Sequence, residues 1–200
     1  MNPGILSYLL LAIVIILLAS GWKNTLLANW PMKGWFVFLC GWAILVQCQF
    51  TLHKIPVNGA FLWLSAAGLL FLGLAVRQSA SAQVLGYSAL LSSLYYLMKH
   101  LLLIDPVFLA QLPHMDAALV LGLCSAVLVH DATRQMGLIT ISVLAGEVLF
   151  YCWHGWPQHE VLGGLAFQDS WWLACLSGRT LSAGAAACLG MSYRKEEQNQ

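Results

Sequence analysis

Apolar residues along this chain gather in long runs with little alternation between hydrophobic and polar positions. Seven runs stand out, at about 4–20, 34–52, 58–76, 84–104, 115–130, 137–153 and 170–191. A helix needs about 20 apolar residues to cross a bilayer, with a range of roughly 17 to 25. Barrel strands would alternate in hydrophobicity, so runs of this kind predict helices. The fifth run is short, and the fourth and seventh carry charges. Proline supports the same division. Pro3, Pro31, Pro56, Pro106, Pro113 and Pro157 all fall outside the runs, as expected of a residue that breaks the helical bond ladder. The expected fold class is all-α: a polytopic transmembrane helix bundle of seven spans.

Composition strengthens this reading. Hydrophobic residues make up 60% of the 200 and charged residues only 8%, and mean hydropathy is +0.77. Soluble domains carry roughly a quarter charged residues. A soluble chain would need more polar groups to cover its surface, so lipid must be part of the solvent. The net charge of +1 offers no basic footprint for nucleic acid. The N-terminus lacks the basic stretch of a secretory signal and reads as the first span. Cys40, Cys48, Cys124, Cys152, Cys175 and Cys188 all lie inside apolar runs without a CxxC pair. They read as small packing residues and imply no disulfide framework.

Charge then sets the orientation. With seven spans, Lys23, Lys33, Arg77, Arg134, Arg194 and Lys195 share one side. Lys54 joins Asp105, Glu160 and Asp169 on the other. The positive-inside rule therefore predicts N-out, C-in. Residues 1–193 form a single transmembrane helical domain, and 194–200, within "YRKEEQNQ", a short frayed cytoplasmic tail. Trp35, Trp63, Trp153, Trp171 and Trp172 fall at expected span ends and suggest interfacial belts, with Trp42 deeper.

Four ionisable residues fall within spans: Lys99, His100, Glu147 and Arg179. A charged, unpaired group at a helix centre costs about 2.5 to 3.5 kcal/mol on insertion scales. From the expected span ends, Lys99 lies roughly 8 Å, Glu147 roughly 9 Å and Arg179 roughly 12 Å deep. All three then share the outer half, and Glu147 should meet Arg179 if spans 6 and 7 are neighbours. One reading of this cluster is a buried Glu147–Arg179 ion pair that fixes helix register. The other is a polar pocket that binds a solute or relays protons. Gly178, Ser182, Ala186 and Gly190 recur every four residues, a spacing that admits a close helix neighbour. Ser88, Ser92, Tyr95 or Tyr96, and Lys99 form a polar stripe on span 4, expected to turn away from lipid.

Other chemistry is sparse. His114, Asp116, His154, His159 and Glu160 are metal-capable types on the outer side, but no HExxH frame holds them. They read as loop residues, and no metal or other cofactor is expected. The sequence has no GxSxG elbow, Walker loop or dinucleotide fingerprint.

The segments "IDPVFLAQL", "GEVLFYCW" and "GGLAFQDSWW" occur in an order that resembles the YphA-like family of small polytopic membrane proteins of Gram-positive bacteria. The resemblance covers mainly residues 100–175. It implies a multi-pass protein of the bacterial cytoplasmic membrane, and it supplies no catalytic residues. The function expected first is a non-enzymatic membrane component that scaffolds or modulates a partner, either another membrane protein or a second copy of this chain. A small transporter or channel built on Glu147, Arg179 and Lys99 is the alternative. An enzyme using loop histidines ranks last. The expected partners are the lipid bilayer and such a protein, not nucleic acid. Span 1, "YLLLAIVIILLA", has almost no polar face and should sit at the periphery, with spans 4, 6 and 7 at the centre.

Overall fold

The computed structural model describes residues 3–22, 31–52, 55–77, 81–104, 116–155 and 161–198. Seven helices lie among them: α1 (Ile5–Ala19), α2 (Met32–Leu45), α3 (Gly59–Arg77), α4 (Ser81–Ile104), α5 (Ala117–Leu128), α6 (Ala132–His154) and α7 (Leu165–Gln198). Each coincides with one of the seven apolar runs. The fold is helical, as its hydropathy pattern predicts.

Two boundaries differ from expectation, and both have consequences. The second run does not stay helical to residue 52. It stops at Leu45, and the chain pairs as a hairpin of β1 (Gln49–Leu52) with β2 (Ile55–Asn58). The register is antiparallel, from Gln49 opposite Asn58 to Leu52 opposite Ile55. From Gln47 to Leu52 polar and apolar residues alternate, the period of a strand, and Phe50 and Thr51 favour one. Asn58 turns the hairpin into α3: its side-chain oxygen accepts from Ala60 N–H at 2.8 Å, and its amide donates to the Val46 carbonyl at 3.0 Å. The segment before α7 adds a short parallel bridge, with Asn58 N–H donating to Leu162 O at 2.8 Å. Gly163 then turns the chain with φ +75°, where any Cβ would run into Phe61.

The second shifted boundary is the start of α7, at Leu165 rather than near residue 170. That helix is also continuous through Gln198, so the polar tail expected to fray prolongs it instead. At 34 residues, its axis measures roughly 51 Å.

Successive helices run in opposite directions. Tyr8 packs on Trp42 between α1 and α2. Gly41 faces Trp63 and Gly59 faces Leu45 between α2 and α3. Gly68 faces Ile141 while Phe71 faces Gly137, so α3 opposes α6. Helices α4 and α6 run parallel, because Ser88, Tyr95 and His100 meet Ser142, Glu147 and His154 in the same order. Helix α7 returns against α6, with Ser182 by Gln135 and Trp171 by Thr140.

Helix α6 is the centre of the bundle. Helix α1 is peripheral, as its uniform apolarity suggests, and docks chiefly on α7. Its attachment is polar at the end: the Asp169 carboxylate of α7 accepts Gly4 N–H at 2.7 Å and Ser7 N–H at 2.6 Å. A carboxylate suits this place because the first turn of a helix leaves its N–H groups unpaired and carries partial positive charge.

The tryptophans correct one expectation. Trp35, Trp171 and Trp172, expected in interfacial belts, are buried in the core beside Trp42, the one expected deeper. Trp42 meets Trp172 edge-on at 5.6 Å, and Trp171 donates its indole N–H to Thr140 at 3.1 Å. The early start of α7 carries Trp171 and Trp172 well inside the helix. Trp153, 77% exposed, keeps the surface position expected of it.

Candidate functional site

The polar stripe on α4 is present, and it faces α6. Ser88 and Ser92 are buried, with hydroxyls satisfied by their own helix: Ser88 by the Val84 carbonyl and Ser92 by Ala89 O at 3.0 Å. Self-satisfied serines are thin and need no cross-helix partner. On α6, Ser142 does the same through Leu138 O at 2.7 Å. Gly146 completes the seam. A Cβ there would lie 2.6 Å from Tyr95 and 3.0 Å from the Ser92 carbonyl.

That close approach places the next residue, Glu147, against α4. Glu147 is 3% exposed. Its Oε2 accepts from Lys99 Nζ at 2.7 Å and from the Tyr95 hydroxyl at 3.4 Å. The ammonium also lies 4.8 Å from the Phe150 ring centre and 5.6 Å from that of Tyr95. The acid is buried while the Lys99 side chain is 28% exposed. The lysine's apolar stem follows the seam and its head reaches down to the acid, instead of turning outward.

Further along the same seam, His100 and His154 meet. His100 Nδ1 lies 2.9 Å from His154 Nε2. His154 Nδ1 lies 3.0 Å from the Phe150 carbonyl. Tyr96 stacks parallel to His100, with centres 5.8 Å apart. Three members of the predicted cluster, Lys99, His100 and Glu147, therefore gather on one seam, and His154 joins them.

Arg179 does not. The expected Glu147–Arg179 pair is replaced by Glu147–Lys99. Because α7 begins at Leu165, Arg179 lies fourteen residues along it, roughly 21 Å from that end. Glu147 lies seven residues from the end of α6, roughly 10 Å. Arg179 Nη1 instead donates to Gln135 Oε1 at 2.9 Å. Gln135 precedes Glu147 on α6 by twelve residues, roughly 18 Å of rise.

Gln135 centres a second polar knot that a search for charges passes over. It is fully buried. Its amide donates to Gly178 O at 3.1 Å and Ser182 Oγ at 3.0 Å, with Ser125 Oγ at 3.3 Å. The only sequence signal was an uncharged amide opposite the small-residue stripe of α7. That stripe works as far as Ser182: Gly178 is seated on Gly122 and Ser125 of α5, whereas Ala186 is exposed.

Of the metal-capable loop residues, Asp116 is the N-cap of α5, accepting Ala118 N–H at 2.9 Å. His114, His159 and Glu160 lie outside the described residues. No group of three or more metal-capable side chains occurs among the described residues.

Comparison with known proteins gives one result. The family model for YphA-like integral membrane protein matches residues 35–192. No curated protein and no solved structure matches.

Proposed function

The chain belongs to the YphA-like integral membrane protein family, and from that premise we propose a multi-pass, non-enzymatic component of the bacterial cytoplasmic membrane that scaffolds or modulates a membrane-protein partner. The single observation that carries this reading is Glu147. It is buried and already neutralised by Lys99 from the neighbouring helix. A solute pathway needs polar groups that solute can engage, and here the acid is spent on holding α4 to α6.

Seven passes are supported by the alternation of the helices, and N-out, C-in by where the basic residues fall. Lys33 opens α2, Arg134 lies in the first turn of α6, Arg77 closes α3, and Arg194 and Lys195 lie near the end of α7. In an alternating bundle these positions share one end. Ile13, Phe36, Leu69, Leu90 and Val127 point outward, as lipid-facing residues do. Among the described residues α6 is the one helix long and apolar enough to cross a membrane by length and composition, while α1, α2, α5 and Gly59–Gly73 of α3 are shorter apolar helices.

The test is purification of the full chain from gently solubilised membranes, with the Lys99→Met/Glu147→Leu double variant beside it. The expected result is a defined, stoichiometric protein partner retained by both forms. Solute flux in proteoliposomes that vanishes in the double variant would instead establish the transporter. A reporter fused to the C-terminus should be active only in its cytoplasmic form.

A further inference from the structure

The imidazoles of His100 and His154 play no part in the helix-holding pair, yet their geometry is specific. We propose that His100 and His154 form a two-nitrogen site for a transition-metal dication, Cu2+ above all, at the outer end of the α4–α6 seam.

The first support is the tautomer. A backbone carbonyl can only accept, so the Phe150 contact puts the proton of neutral His154 on Nδ1. The lone pair of Nε2 is then directed at His100. An imidazole whose other N–H is held by a backbone carbonyl is the arrangement metal-binding histidines adopt, since it fixes ring orientation and raises basicity. The His100 ring is oriented too, by parallel stacking on Tyr96.

The second support is proximity. His100 Nδ1 and His154 Nε2 already lie 2.9 Å apart in a direct hydrogen bond, and two nitrogens about 2.0 Å from one ion sit about 2.8 to 3.3 Å apart whether the angle is square or tetrahedral. Among divalent ions Cu2+ heads the affinity order for nitrogen donors.

Access and charge agree. His154 is exposed and His100 partly so, so water can fill the remaining coordination positions. Lys99, the cation next in sequence to His100, is compensated by Glu147. Binding requires modest change. The His100 proton moves from Nδ1 to Nε2, and both rings tilt until their lone pairs meet at the ion instead of along the present hydrogen bond. Both imidazoles stay neutral, so no net proton is released.

The experiment titrates the purified full chain in lipid nanodiscs with Cu2+, read by electron paramagnetic resonance and by competition with a chelator. The expected result is one equivalent bound with two-nitrogen hyperfine structure, and weaker binding of Zn2+. His100→Ala and His154→Ala should each weaken Cu2+ binding about 10- to 100-fold. His130→Ala, beyond the far end of α5, should leave it unchanged. Cu2+ should also protect both histidines of the unmodified chain from diethyl pyrocarbonate, a readout that needs no variant to fold. Stoichiometric binding that survives in the combined His100→Ala/His154→Ala variant, or a spectrum without nitrogen coupling, would overturn the proposal.

Discussion

At the scale of single residues, the chain meets the cost of a buried charge with a partner from the adjacent helix. Lys99 reaches Glu147 because α4 and α6 run parallel in close register, and Gly146 removes the one side chain that would hold them apart. Lys99→Met should therefore strand a buried carboxylate. A loss of about 2 kcal/mol is expected, below the full cost of breaking a buried pair because Lys99 is partly exposed. Adding Glu147→Leu should recover most of it, since replacing both charges by apolar groups removes the desolvation cost along with the attraction. Thermal unfolding in detergent, run as a double-mutant cycle, measures both effects. The types and positions of Lys99 and Glu147 were legible in the sequence, but their pairing was not. It turned on where α7 begins, and a shift of five residues displaces Arg179 by roughly 8 Å, enough to change its partner. Gln135 is hidden in the sequence for a different reason: an amide carries no charge to flag it, although in an apolar seam it needs partners too.

At the scale of elements, small residues decide which helices touch. Gly122 of α5 and Gly178 of α7 bring two backbones together. A Cβ on Gly122 would sit 2.6 Å from the Ala174 carbonyl oxygen and 3.2 Å from Gly178 N. Neither backbone atom can yield without moving a helix. Gly122→Ala should thus cost about 1–3 kcal/mol through overpacking. Gly184, further along α7, has nothing within 4 Å of its virtual Cβ. Gly184→Ala should be neutral, or stabilise by up to about 1 kcal/mol, because alanine is the better helix former. Equal effects of the two substitutions on melting temperature would contradict this assignment of the α5–α7 contact. Four-residue spacing correctly marked α7 as a packing helix, but spacing alone could not say where the contact ends. It ends near Ser182 because α5 is only 12 residues long.

At the scale of the whole molecule, hydropathy located the seven helices among the described residues, since apolar length is a property of each segment by itself. It missed the hairpin at 49–58, where pairing depends on a second strand and on Leu162 across the fold. It also correctly placed α1 at the edge, without revealing what holds it there. The apolar contacts of α1 are modest and its outer surface is open, so the Asp169 carboxylate, bound to Gly4 N–H and Ser7 N–H, is its one polar anchor among the bonds described. Asp169→Ala leaves two N–H groups of the first turn without their acceptor and removes a favourable charge from the helix N-terminus. The expected loss is about 1–2 kcal/mol, and it should fall on α1 alone. Hydrogen exchange should accelerate at Gly4 through Tyr8 while the α4–α6 seam stays protected. If exchange rose equally along Lys99 and Glu147, α1 would be part of a single cooperative unit with the core. Local loosening would instead mark α1 as a helix able to detach while the other six stay packed.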